Sequence, residues 1–465
     1  MKLSYIFLLS TALFCSCEKF LDTPPASQLG AAAFWKTSGN AELGVAAIYD
    51  ACQTAFRQEF WRWGELRADN FGKNERPETN IQQVLDDGLT PSTASADWGN
   101  VYKAIATANV AIAKIPTIPS FSGQNNLLAE AHTLRALLYF YAVRVWGNVP
   151  KVTEPVEDLG GDLNVSRSPV EEIYNEIIIP DIQKAEGWMT TQRNLKYISL
   201  GSILALKAHV FMWPGSHRNY NTAIDAITRL ESFGYRLETT QSGWVDIFRG
   251  AQTSNEIVFG LSWNYNEDGA NGISQFVNNS PKLVPREELE TKWQSIIPGD
   301  FRTLITAAFD IEVVNVQAFP PLRILTKYSG KFDDRNVQQV WGTTTDRSIP
   351  FFRLSELILL KAEAENGRDH PEDALKLVNR IRAARQLPAV DEHITDKVTV
   401  RNMILDERQF ELMGEGQRYW DLVRNGVVFE VMGPINGMND PRKILWPVSQ
   451  NVLNRNPNIQ QNEGY

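Results

Sequence analysis

The chain has 465 residues, 43% hydrophobic and 22% charged, a globular balance that excludes a mainly disordered or fibrous protein. Its 46 Lys and Arg against 55 Asp and Glu leave a formal charge of −9, which argues against a protein that tracks nucleic-acid phosphates with a basic stripe. There are 3 Cys, and two of them, Cys15 and Cys17, fall at the very start, which excludes a disulfide framework.

Met1-Lys2 is a short positive start, and Leu3 to Phe14 is an apolar run of secretory-signal length, too short to span a bilayer. Ser16 then precedes Cys17. A small residue followed by Cys after such a run is the pattern of a bacterial lipoprotein signal. The expectation is a signal peptide over residues 1–16 and a lipid, palmitate among its chains, on Cys17. Phe14 stands where Leu is usual, and its bulk makes Cys15 the poorer candidate. No later stretch reaches the roughly 18 uninterrupted apolar residues of a membrane helix. The body is therefore expected to be soluble and held to a membrane through lipid alone.

The body reads as helices in pairs. Trp98, Val101, Tyr102, Ile105, Ala108, Ile112 and Ile115 recur at helical spacing until Pro116 stops the run. Leu127, Ala131, Leu134, Leu138, Tyr141 and Val145 make a second face, ended by Gly147 and Pro150. Ser168-Pro169-Val170-Glu171 places a cap, a first-turn proline and a capping-box glutamate in order, and Pro180 predicts a kink further on. Couples follow at 199–213 with 221–232 and at 354–366 with 371–385, and a last helix runs from Val400 to Met413. Leu204, Ala208 and Phe211, then Tyr220, Ala223 and Ile227, put small and large apolar residues where stacked helix pairs need them. The couples look like degenerate tetratricopeptide-type repeats inside a globular protein. By contrast, 64–97 is polar, and 236–350 mixes short β-like runs with Asn, Gly and Trp. These read as long loops carried on a rigid scaffold, where function usually sits.

Catalytic motifs are missing. None of His132, His209, His217, His370 and His393 forms an HExxH pair, and no CxxC follows the signal. There is no GxGxxG or GxSxG, and at the Gly39–Gly44 interval Val45 replaces the P-loop lysine. Cys52 sits beside Ala51 and Ala55 on a predicted helix and reads as a buried small residue. The acidic pairs Asp86-Asp87, Glu287-Glu288 and Asp333-Asp334 are sequence neighbours, which is not the facing arrangement a glycosidase needs. Glu407-Arg408, Glu411, Glu415, Arg418, Asp421 and Arg424 alternate in sign at helical or turn spacing, as ion pairs that pin a helix to its neighbours do.

Several blocks together resemble the SusD/RagB family of outer-membrane nutrient-uptake lipoproteins. They are Cys17-Glu18-Lys19-Phe20-Leu21-Asp22, Leu66-Arg67-Ala68-Asp69-Asn70, Leu134-Arg135-Ala136-Leu137, Trp146-Gly147-Asn148-Val149-Pro150, Asn379-Arg380-Ile381-Arg382, Glu407-Arg408 through Arg418, and the tail from Asn456-Pro457 to Gly464-Tyr465. Glu463 stands where a proline is common. The resemblance implies a mainly α, SusD-like fold with four tetratricopeptide-like helix pairs as scaffold and a large loop-rich insertion carrying short β segments. Residues 17–465 would form a single domain. Its scaffold would cover about 38–235 and 351–425, its insertion about 236–350 and its tail 426–465.

The resemblance further implies a lipid-anchored outer-membrane protein facing the cell exterior. It would act as a hinged lid on a SusC-like TonB-dependent transporter, bind an oligo- or polysaccharide and perform no catalysis, with no cofactor and no metal assigned. A sugar ring offers apolar faces to aromatic planes and hydroxyls to polar side chains. Aromatics in polar loops are therefore the glycan-binding candidates: Trp263, Tyr265 with Asn266, Trp293 and Trp341. Asp69, Asn70, Arg76 and Asn80 would add polar contacts. Two other classes stay open, and a pure protein scaffold, working through its concave helix surface with no pocket in the insertion, is a third. A lid for a peptide would show a basic or apolar groove, and a lipid-anchored glycoside hydrolase would show two facing carboxylates in a cleft.

Overall fold

Helical spacing in the sequence becomes helix wherever the apolar stripe has a neighbour to cover it. The protein is seen in a computed structural model that describes residues 34–73, 78–156, 164–248, 254–275, 283–296, 300, 302, 307–311, 322–325, 327–328 and 348–465. Helix α1 (Ser38–Phe56) packs on α2 (Gly99–Lys114), α3 (Gln124–Trp146) on α4 (Ile179–Trp188), α5 (Leu200–Met212) on α6 (Tyr220–Glu231), and α7 (Leu354–Gly367) on α8 (Pro371–Ala384). Neighbouring pairs touch through α2 and α3, α4 and α5, and α6 and α7, and α9 (Lys397–Leu412) packs on α7. This is the mainly α, four-pair scaffold that the family resemblance implies.

Small residues set the spacing. Ala104, Ala108, Ala131, Ala205, Ala208, Ala223 and Ala362 are fully buried, and large side chains fill between them. Side-chain caps define several helix starts: Thr37 on Asn40 N–H for α1, Ser199 on Ser202 for α5, Asn219 on Thr222 for α6 and Asp396 on Thr399 for α9. The capping box expected at Ser168–Glu171 does not form. Ser168 instead pairs with Val149 in a two-residue ladder, and Asn148 Oδ1 accepts the Val170 N–H at 3.1 Å. The helix Val170–Ile173 then passes through a π-turn, Tyr174–Ile178, into α4, so Pro180 falls in the first turn of α4.

Segment 64–97 is not only loop. Ile81, Val84 and Leu85 are buried on a short helix, Thr79–Leu85, whose apolar stripe is hidden among Asn and Gln. Strand Ile257–Leu261 pairs antiparallel with Ile349–Arg353, Ile257 opposite Arg353 and Leu261 opposite Ile349. Every residue of both strands is buried, which is why they read as apolar runs without alternation. Arg353 ends the second strand and occupies the cap position of α7, so the ladder delivers the chain directly into the last pair. A further ladder joins Phe71–Lys73 to Leu283–Pro285. Phe56 on α1, Tyr141 on α3 and Phe351 on the ladder meet edge-on, with ring centroids 4.8–5.9 Å apart.

The charged run 407–424 is interior. Glu411 is fully buried and accepts from Arg302, Arg353 and Arg385, each at 2.7 Å. Arg353 also pairs with Glu256 and Glu415, and Lys327 pairs with Glu415. Arg408 forms a second centre with Asp421, Glu356 and Glu363, at 2.9 to 3.1 Å. These pairs fasten α9 to α7, α8 and the Ile257–Leu261 ladder, as the alternating signs suggested. His132 bonds Asp181 at 2.6 Å, and His209 bonds Glu356 at 3.0 Å; both are core residues. Trp98, Trp146 and Trp420 are buried as well.

Candidate functional site

The expected binding residues separate into two groups. The first is the turn that follows strand Ile257–Leu261. Asn264 caps a single helical turn, Tyr265–Asp268, by accepting the Asn266 N–H at 3.1 Å, and the Asn264 N–H donates to Asp268 Oδ2 at 2.8 Å. Residues from α1 and just past its end hold this turn in place. Gln53 Nε2 donates to Ser262 O at 2.7 Å and to Asp268 Oδ2 at 3.1 Å. Arg57 donates to Asp268 O at 2.6 Å, and its own carbonyl accepts the Gly272 N–H at 2.7 Å. Gly272 is required there, because a Cβ would meet the Trp61 ring at 2.6 Å.

Trp263 forms the inner wall of the turn. It is only 5% exposed, its Nε1 donates to Gly269 O at 2.7 Å, and the Arg57 guanidinium lies 5.6 Å from its ring centroid. Its ring is therefore a support. Tyr265 is half-buried, and Asn264, Asn266 and Glu267 are exposed around it. The turn thus presents one aromatic ring and a polar rim on a braced backbone. Sequence reasoning singled out Trp263, Tyr265 and Asn266 for this turn but not Gln53 and Arg57, which hold it. Their spacing of four puts them on one helix edge, yet nothing local marks that edge as a brace.

The second group lies inward. Trp293 is fully buried and stacks on Phe410 of α9 with centroids 4.9 Å apart. Asp69 binds the Arg418 guanidinium through both oxygens, at 2.7 and 2.9 Å. Burial pushes the Asp69 carboxyl up, but Arg418 outweighs it and the net shift is downward. Asn70 is fully buried, donates to Glu65 Oε1 at 2.7 Å and accepts from Gln409 Nε2 at 2.9 Å. Glu65 in turn accepts the N–H groups of Gly414 and Gly416, where Gly416 has φ +70°. The Leu66–Asn70 motif is thereby a tie between the early segment and the turn after α9. Trp293, Asp69 and Asn70 have their polar atoms or faces committed inside. Asn80 is exposed on the helix Thr79–Leu85. Arg76, Trp341 and Cys17, like the signal run 1–16, lie outside the described residues.

Two other features limit the chemistry. Burial pushes the Cys52 thiol up to about 12, so it is no nucleophile. Among the described residues, Glu365, His370 and Asp373 could bring ligand-type atoms together, but Glu365 already pairs with Arg368 at 2.7 Å and the other two are exposed. No helix among the described residues is long and apolar enough to cross a membrane.

The comparisons give the class. Residues 323–440 match the SusD family, and residues 19–199 match a family described as starch-binding, associating with outer membrane. A SusD-like protein of Formosa agariphila is 34% identical over 507 residues, covering 100% of this chain and 99% of its own. The chain belongs to the SusD family. The starch-binding protein SusD of Bacteroides thetaiotaomicron is 32% identical over 134 residues, 27% of this chain and 23% of its own. Among solved structures, a SusD superfamily protein from Bacteroides vulgatus superposes with a TM-score of 0.79 at 16% identity, covering 93% of this chain and 100% of its own. A laminarin-binding SusD-like protein gives 0.75 at 22% identity, over 92% of this chain and 100% of its own.

Proposed function

We propose that this protein is a cell-surface lipoprotein that captures an oligo- or polysaccharide and passes it to a SusC-like TonB-dependent transporter, over which it acts as a hinged lid. Cleavage after residue 16 leaves Cys17 to carry the lipid, and segment 236–350 is the insertion that carries the binding turn. The observation that supports the reading is the Tyr265 turn, whose backbone is bonded to Gln53 and Arg57 within the protein itself. Tyr265 serves as a platform for one sugar face, and Asn266 takes hydroxyls at its edge. By analogy with base stacking, such a platform contributes on the order of 1–3 kcal/mol. Bracing reduces the ordering cost of binding. Trp263 supports the turn from within, and Trp293, Asp69 and Asn70 act on binding only through stability.

The test is affinity gel electrophoresis of the purified protein in a panel of soluble polysaccharides, laminarin and starch first because relatives are described as binding them. Retardation by at least one polysaccharide, reduced in Tyr265→Ala and Asn266→Ala, is expected. A folded protein that no polysaccharide retards would overturn the reading in favour of a non-glycan nutrient.

A further inference from the structure

A cleft of about 240 Å³ opens on the repeat helices between α5, α6, α7 and α9, far along the chain from the Tyr265 turn. Arg218, Tyr220, Glu363, Asn366, Lys397 and Arg401 are among the residues that line it. Its charge is unbalanced. Glu363 faces Arg424, also in the wall, at 2.6 Å, and Asp421 faces Arg424 at 2.7 Å. Those two carboxylates are spent on the interior. Lys397 reaches Asp369 at 2.8 Å, while the carboxylate nearest Arg401 is Glu430 at 4.0 Å. Arg218 has no carboxylate partner among the described residues. It donates to Arg424 O at 3.2 Å and to Tyr220 Oη at 3.4 Å, and its Nε has no acceptor. The wall also includes the first turn of α9, whose end carries positive helix-dipole charge. Asp396 already caps that end, so the dipole adds to the side-chain charges only in part.

A second observation refines the chemistry. Asn366 is only 7% exposed, and its Nδ2 donates to Lys397 O at 3.0 Å, which fixes the orientation of the amide. Its Oδ1 has no donor. A buried acceptor is normally satisfied, so the cleft calls for a hydrogen-bond donor as well as an anion. A neutral sugar leaves Arg218 without its counter-charge. Sulfate offers Asn366 no donor, hydrogen phosphate offers a P–OH and an acidic peptide offers backbone N–H groups, but only a sugar acid sets several hydroxyls on a ring beside its carboxylate.

We propose that this cleft binds a uronate, a sugar ring bearing one carboxylate. The carboxylate faces Arg218 and Arg401, and ring hydroxyls donate to Asn366 Oδ1. The site is separate from the Tyr265 turn and does not rest on glycan capture there, so either proposal can fail alone.

The test is isothermal titration calorimetry of the purified full chain with D-glucuronate and D-galacturonate, each against its neutral parent, D-glucose or D-galactose. Arms with sodium sulfate and with a glutamate-rich peptide separate the other sources of negative charge. At least one uronate should bind tenfold or more tighter than its parent, and added NaCl should weaken it. Arg218→Gln should lower that affinity at least tenfold and Arg401→Gln at least threefold, with melting temperatures unchanged. If Arg218→Gln does not fold, Arg401→Gln carries the test. Equal or absent binding of uronate and parent, binding that neither variant changes, or sulfate as tight as the uronate would overturn the proposal. Peptide binding without uronate binding would overturn it in favour of a protein partner.

Discussion

Replacing Glu411 by Gln is the most searching test of the interior. Among the described residues, the ion pairs of this centre join five cations, Arg302, Lys327, Arg353, Arg382 and Arg385, to five carboxylates, Glu256, Asp300, Glu407, Glu411 and Glu415. The two sets balance. Glu411→Gln leaves one uncompensated positive charge in a region from which water is excluded. It also turns an NH₂ group toward a guanidinium that can only donate. Removing one partner of a buried ion pair costs about 3–5 kcal/mol. The lower end applies here, because Arg353 keeps Glu256 and Glu415, Arg385 keeps Glu256, and Arg302 keeps Asp300 and Glu407. The expected loss is therefore about 3 kcal/mol. Urea denaturation followed by far-ultraviolet circular dichroism measures it, with Glu372→Gln, an exposed partner of Lys376, as the control that changes stability by less than about 0.5 kcal/mol. A loss below about 1 kcal/mol for Glu411→Gln would show that the charge is not committed as described.

Three further outcomes follow from the same structure. Trp293→Ala should destabilise by about 3–5 kcal/mol, because it empties the space against Phe410, and a variant as stable as the parent would contradict its core placement. Burial pushes the Glu356 carboxyl up, but His209 and Arg408 outweigh it and hold the group at about 2. Its folded value lies below the unfolded one, so its stabilising contribution of about 3 kcal/mol is present above pH 4.5 and is lost as pH falls toward 2. Melting temperatures taken from pH 5 to 2.5 should fall more steeply for the parent than for Glu356→Gln; identical slopes would refute that contribution. Cys52, fully buried with its thiol near 12, should react with a thiol reagent at pH 8 only after denaturation. Rapid labelling at Cys52 itself in the native protein would contradict the packing of α1.

The scaffold from α2 onward was legible because its helices repeat their apolar residues with the helical period, a property that survives without knowledge of the partner. What depends on the partner was not legible. Ser168-Pro169-Val170-Glu171 has the composition of a capping box, but the ladder with Val149 and the Asn148 side chain take its place. Tyr265 and Trp293 both look like aromatics in polar surroundings. Only the fold, which brings Phe410 beneath Trp293 and leaves Tyr265 half-exposed, separates a core residue from a candidate platform. Asp69 and Asn70 read as sugar contacts because their partners Arg418 and Gln409 lie more than 300 positions away. Gln53 was invisible for the same reason, since its bond to Ser262 O spans 209 positions.

The central claim is that a carbohydrate rests on the Tyr265 turn. Amide hydrogen exchange of the protein with and without a retarding polysaccharide tests it most directly. Slowed exchange concentrated in 262–272 and in the facing end of α1, absent in Tyr265→Ala, is the predicted result. Protection confined to the repeat helices or to the core around Trp293, with 262–272 unchanged, would contradict it.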